Sequence, residues 1–132
     1  MSKELFWLTL TTLMTGLFWV PYILDRIAVR GLMGAVANPS PKDLPQSPWA
    51  ERAIKAHYNA VENLVVFAVL VLTAHTLGIS SGLTGAAAVI YFFARLVHFL
   101  VYTAGIPVAR TLAFAVGWLA QMAFALSILG IV

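Results

Sequence analysis

Apolar residues run along this chain in four long stretches, broken where charge, proline or glycine collects. None of the stretches alternates with the two-residue period of a strand, and each is long enough to satisfy its backbone hydrogen bonds internally as a helix. The pattern predicts helices over about 5–30, 49–77, 83–103 and 107–131, each near the length needed to cross a bilayer. Pro21 falls inside the first and should bend or relax it, and Asp25, Arg26 and Arg30 mark its exit into water. Gly31 to Pro48 reads as a loop, because Asn38-Pro39-Ser40-Pro41, Pro45 and Pro48 each disfavour helix. The second helix opens at Ser47-Pro48-Trp49, where serine can cap and proline suits the first turn. Short breaks at Gly78–Gly82 and Thr103–Pro107 make the last three helices antiparallel neighbours, so the fold expected is an all-α, single-domain, up-and-down four-helix membrane bundle.

Composition agrees with this. The 132 residues are 61% hydrophobic and 10% charged, too apolar for a soluble domain. With no cysteine there is no disulfide framework and no thiolate of the chain's own, so a reactive thiol must come from a ligand. The net charge of +3 forms no basic run, which sets nucleic acid aside. Lys3 ahead of an apolar run resembles a signal peptide, yet the run ends in bulky Trp19-Val20-Pro21-Tyr22, so a retained helix is expected. Arg26, Arg30, Lys42, Arg52 and Lys55 fall beside the first loop, and Arg110 near the same face. The positive-inside rule then puts that loop in the cytoplasm and both termini outside. The location expected is a bacterial inner membrane, with several passes.

The informative segment is Glu51 to Phe67, ERAIKAHYNAVENLVVF, which places two cations, a histidine, two asparagines and two acids at the mouth of a spanning helix. Only about 14 residues, Leu64 to Leu77, are purely apolar, against about 20 needed to span, so the polar part must enter the membrane. At about 1.5 Å per residue, Glu62 and His98 both lie about 24 Å from the outer turns and Arg95 about 20 Å. One stripe is expected to carry Arg52, Lys55, Asn59 and Glu62, and a second Tyr91, Arg95, His98 and Tyr102. Facing lipid would cost several kcal/mol per charge, so both should face protein or water. The result is a basic pocket with Arg110 at its rim, floored by a Glu62–Arg95 ion pair. A purely structural ion pair, with His98 as a hydrogen-bonded core residue, is the competing reading. No metal site is expected, since the histidines share no face and no acid joins them at ligand spacing.

Glu51-Arg52, Ala56-His57, Asn59 and Glu62-Asn63, followed by Arg95, His98, Tyr102, Pro107, Arg110 and Phe114-Ala115-Val116-Gly117, resemble the MAPEG superfamily, the membrane-associated proteins of eicosanoid and glutathione metabolism. His57 and His98 match its microsomal glutathione transferase and prostaglandin E synthase members best. The resemblance implies a homotrimer that binds glutathione between subunits and takes lipophilic substrates from the surrounding lipids. It implies a glutathione-dependent transferase or peroxidase in which Arg110 stabilises the thiolate and Tyr102 donates to it. Arg52, Lys55, His57, Asn59, Glu62, Arg95 and His98 would bind glutathione, with Arg30 or Arg26 reaching in from a neighbouring subunit. Two departures stand out: Lys55 replaces a planar bidentate arginine with a point charge, and Ala60 replaces an acid. The alternative is a non-catalytic trimer of the same fold that binds a lipid headgroup or another anion. A channel or transporter fits less well, because no inverted repeat or broken mid-membrane helix is visible.

Overall fold

The computed structural model describes all 132 residues, Met1–Val132. Five helices, α1 (Lys3–Leu17), α2 (Trp19–Val36), α3 (Pro48–Thr76), α4 (Gly82–Ala104) and α5 (Pro107–Ile128), make four apolar segments long enough to cross a membrane, with α1 and α2 in line as the first. This is an all-helical bundle of a multi-pass integral membrane protein.

The join between α1 and α2 falls at Phe18, three residues ahead of Pro21. Pro21 has no N–H to give the carbonyl of Leu17, so the ladder loses a rung and the backbone relaxes one residue later. The first loop is shorter than the sequence suggests. Gly31, at φ 72° and ψ 167°, interrupts α2, but Leu32-Met33-Gly34-Ala35-Val36 resumes a helical turn before Asn38-Pro39 stops it. Leucine, methionine and alanine are strong helix formers, and the loop proper covers only 37–47.

Small residues let the helices approach closely. Ala53, Ala56 and Ala60 of α3 pack with Phe18 and Phe99 at the loop end, where the two rings stack at 3.9 Å. At the opposite end Phe67, Val71, Ala87, Ala88, Tyr91, Ala120 and Phe124 form a larger core, with Phe67 stacked on Tyr91 at 3.7 Å.

Two buried acids tie the ends together. Glu4 on α1 accepts from Thr84 Oγ1 at 2.7 Å and from Ser80 Oγ at 2.9 Å, joining α1 to the start of α4. At the other end, Ser47 makes no side-chain cap on α3, contrary to the sequence expectation. Asp25 takes over that role. Its Oδ2 accepts from the Ser47 N–H at 3.0 Å and from Gln46 Nε2 at 3.2 Å, placing a carboxylate at the positive end of the α3 dipole. Gln46 also donates to the Tyr22 carbonyl and accepts from Arg26 Nε, so the loop is pinned back onto α2.

Asp25→Ala would strand the Ser47 and Gln46 donors in a buried site, and a loss of about 1–3 kcal/mol is expected. A lower unfolding midpoint together with faster protease cleavage within 37–47 checks this; unchanged cleavage would show that the loop is held by something else.

Candidate functional site

The inward stripe of α4 carries Tyr91, Arg95 and His98, all buried, and Tyr102, half-buried at its end. Steps of four, three and four residues keep these side chains on one face. Arg95 is only 2% exposed. Its guanidinium donates to Asn59 Oδ1 of α3 and contacts His98 Nδ1 at 3.4 Å. Asn63 Nδ2 donates to the Asn59 carbonyl at 2.9 Å, and Gln121 Nε2 of α5 to the Asn63 carbonyl at 3.1 Å. A continuous polar chain therefore crosses the interior from α5 through α3 to α4.

That chain fixes which atoms the site offers a ligand. Arginine can only donate, so the oxygen of Asn59 must face it, and the hydrogen-bonding capacity left to the amide is its N–H₂. By the same reasoning His98 Nδ1 accepts, which puts the proton of the neutral ring on Nε2. Both residues line a cleft of about 190 Å³ with Tyr102, Arg110, Thr111 and Phe114. Arg110 lies over the Tyr102 ring with Cζ 4.5 Å from its centroid, and His98 meets the same ring edge-on at 5.6 Å. Amide, imidazole, phenol and guanidinium donors converge on one opening, and no carboxylate lines it. Such a cleft suits an anion.

The expected floor of the pocket is corrected. No Glu62–Arg95 ion pair forms; the one salt bridge of the chain joins Arg30 Nη1 to Asp43 at 3.6 Å. Arg52, Lys55, Asn59 and Glu62 do not share one face. Steps of seven residues return to within about 20° on a helix, whereas steps of three turn it by about 60°. Arg52 and Asn59 accordingly lie inward, while Lys55 and Glu62 are exposed on an outer edge. His57 is two residues from Asn59, about 160° away around the helix. Its Nδ1 pairs with Tyr22 Oη at 2.8 Å and its ring packs on Phe18, within the same chain and away from the cleft. Arg30 is held locally, donating to the Leu44 carbonyl at 2.7 Å. Arg52 donates to the Thr103 carbonyl at 3.0 Å. The chain thus brings Asn59, Arg95, His98, Tyr102 and Arg110 together and leaves Arg30, Arg52, Lys55, His57 and Glu62 outside the cleft.

Thr111 and Gln121 also take part, although the sequence assigns neither a role. Thr111 lines the cleft beside Arg110, and its Oγ1 donates to the Pro107 carbonyl at 3.1 Å. Gln121, 3% exposed in a helix of apolar residues, was the visible signal for a buried polar contact, but its partner, a backbone carbonyl, leaves no trace in sequence.

The MAPEG family model matches residues 5–130, nearly the whole chain. No curated protein gives a significant match.

Asn59→Leu would remove the side-chain oxygen that receives the Arg95 guanidinium. Hydrogen bonds to charged groups contribute about 1.5–3 kcal/mol, and a stability loss of that size is expected in thermal unfolding of the detergent-solubilised protein. Lys55→Ala, on the exposed edge, should change the stability of the fold by no more than about 0.5 kcal/mol.

Proposed function

Because this chain belongs to the MAPEG family, we propose that it is a glutathione-dependent membrane transferase or peroxidase acting on lipophilic electrophiles or peroxides. The observation that carries the reading is the cleft lined by the donors of Asn59, His98, Tyr102 and Arg110, with the Arg95 charge beneath it. Glutathione brings two carboxylates and a thiol that becomes an anion when it ionises. Donors and guanidinium groups favour the ionised, nucleophilic form.

In this mechanism Arg110 faces the sulfur and stabilises the thiolate, while the Tyr102 hydroxyl donates to it. In transfer, the sulfur lone pair forms a bond to the electrophilic carbon and the leaving group departs with its electron pair. In peroxide reduction, sulfur attacks one peroxide oxygen, the O–O bond breaks and an alcohol leaves. A second glutathione then releases water and forms the disulfide. Proximity supplies much of the rate, since the lipophile is already concentrated in the surrounding bilayer.

A homotrimer completes this reading. Glu62 is exposed on α3 at a depth where a charged group facing lipid costs several kcal/mol, and Lys55 lies two turns further along the same edge, so a second copy of the chain is the natural cover for it. Covered in this way, the two residues and Arg30 would extend a neighbour's cleft toward the ends of the tripeptide. In this reading the first loop and the cleft face the cytoplasm, where glutathione is available, and the cations beside that loop support it.

Titration calorimetry in lipid nanodiscs, followed by ultraviolet detection of thiolate, compares wild type with Arg110→Ala. Saturable binding with a thiolate band is expected for wild type. Arg110→Ala should keep binding within about tenfold and lose the band along with turnover of a lipophilic electrophile. Binding without a thiolate band in wild type would favour the non-catalytic, anion-binding alternative. No binding at millimolar glutathione would refute both the enzyme reading and its co-substrate.

A further inference from the structure

The turn between α4 and α5 carries a defect written into the sequence. In a continuing helix the Thr103 carbonyl would accept from the N–H four residues on, but that residue is Pro107, which has none. The neighbouring carbonyls are satisfied within the turn, Tyr102 by the Gly105 N–H at 3.0 Å and Val101 by the Ile106 N–H at 2.9 Å. Thr103 is satisfied from outside, by Arg52 Nε of α3 at 3.0 Å. The same guanidinium lies at the negative end of the α4 dipole, where a cation is favourable.

Gly105 makes room for it. This residue sits at φ 81°, and a Cβ there would lie 3.3 Å from both Nε and Cζ of Arg52, tighter than an ordinary contact. Arg52, the orphan carbonyl and Gly105 therefore form one interlocked unit. α5 starts two residues later, and its first turn carries Arg110, whose N–H bonds the Ile106 carbonyl at 3.1 Å and whose guanidinium covers the Tyr102 ring of α4. The height of Arg110 over Tyr102 depends on the angle at which this turn releases α5.

We propose that Arg52 is a positioning residue for Arg110: it clamps the α4–α5 turn through the Thr103 carbonyl and so sets the guanidinium over the Tyr102 ring, and it does not contact glutathione. The catalytic consequence rests on the glutathione reading above, while the clamp itself does not. Arg52→Gln removes the clamp. Arg52→Lys keeps the charge at the helix end but loses the rigid fork, and it also serves should the glutamine variant fail to assemble. Gly105→Ala disturbs the same unit from the other side.

Hydrogen exchange in nanodiscs without ligand reads the clamp directly. Faster exchange over 103–110 is expected in Arg52→Gln and Gly105→Ala, with Arg52→Lys between them and wild type. With glutathione, both variants should lose roughly ten- to a hundredfold in kcat and a matching share of the thiolate band, while KM for glutathione stays within about threefold. The double variant should be no worse than its more damaging single, because both act on one unit. Unchanged exchange in Arg52→Gln overturns the clamp. A raised KM with the thiolate band intact, or additive losses in the double variant, also overturns the proposal, since Arg52 would then be touching ligand. A wild type that binds no glutathione sinks the functional reading alone, and the exchange comparison still decides the clamp.

Discussion

A guanidinium buried among membrane-spanning helices needs acceptors, and the two that Arg95 reaches through Nη2, with Nε left without one, organise the rest of this protein. Its partners are neutral: the Asn59 oxygen and the His98 ring. Neutral acceptors orient the charge without cancelling it, and an uncancelled charge in a low-dielectric interior attracts an anion strongly. The asparagine amide and histidine tautomer follow from the same contact, because an obligate donor dictates which of their atoms remain free. One buried cation therefore sets both the electrostatic sign of the cleft and the direction of the hydrogen bonds lining it.

The surrounding fold keeps that arrangement in register. Alanine-rich faces bring α3 and α4 close enough for Asn59 to reach Arg95, and Gln121 holds the α3 backbone from α5. Gly117 of α5 faces the Arg95 stem, where even a Cβ would lie 3.5 Å from Cδ. The bundle is closed at one end by Glu4, which ties α1 to α4, and at the other by Asp25, which ties α2 to the start of α3. Between them the polar chain links α5, α3 and α4, with Arg95 and Gln121 buried and Asn59 and Asn63 half-buried.

Much of this was legible in the sequence, and the misses have physical causes. The four spans follow from length and hydropathy, and the α4 stripe from its four-three-four spacing, which keeps side chains on one face. The α3 motif was harder to read. It mixes seven-residue steps, which preserve a face, with three-residue steps, which rotate it, so Lys55 and Glu62 were grouped with Arg52 and Asn59 although they point to a different edge. Glu4 lies at the start of α1, and Asp25 near where the first helix is expected to leave the membrane, both places where acids ordinarily mark an exit to water. Only tertiary contacts, with Thr84 and Ser80 for one and Ser47 and Gln46 for the other, show that they are buried. The Arg52 contact is invisible for a similar reason, since its partner is a carbonyl orphaned by a proline on another helix.

The claim that Arg95 and the donors above it form an anion site is tested most directly by thermal unfolding of the wild-type protein in nanodiscs across a glutathione titration. A ligand that binds only the folded state at a hundred times its Kd adds about 2.7 kcal/mol, so a saturable rise of several degrees is expected, with none from sodium chloride at the same ionic strength. A midpoint that does not move up to millimolar glutathione would contradict the account.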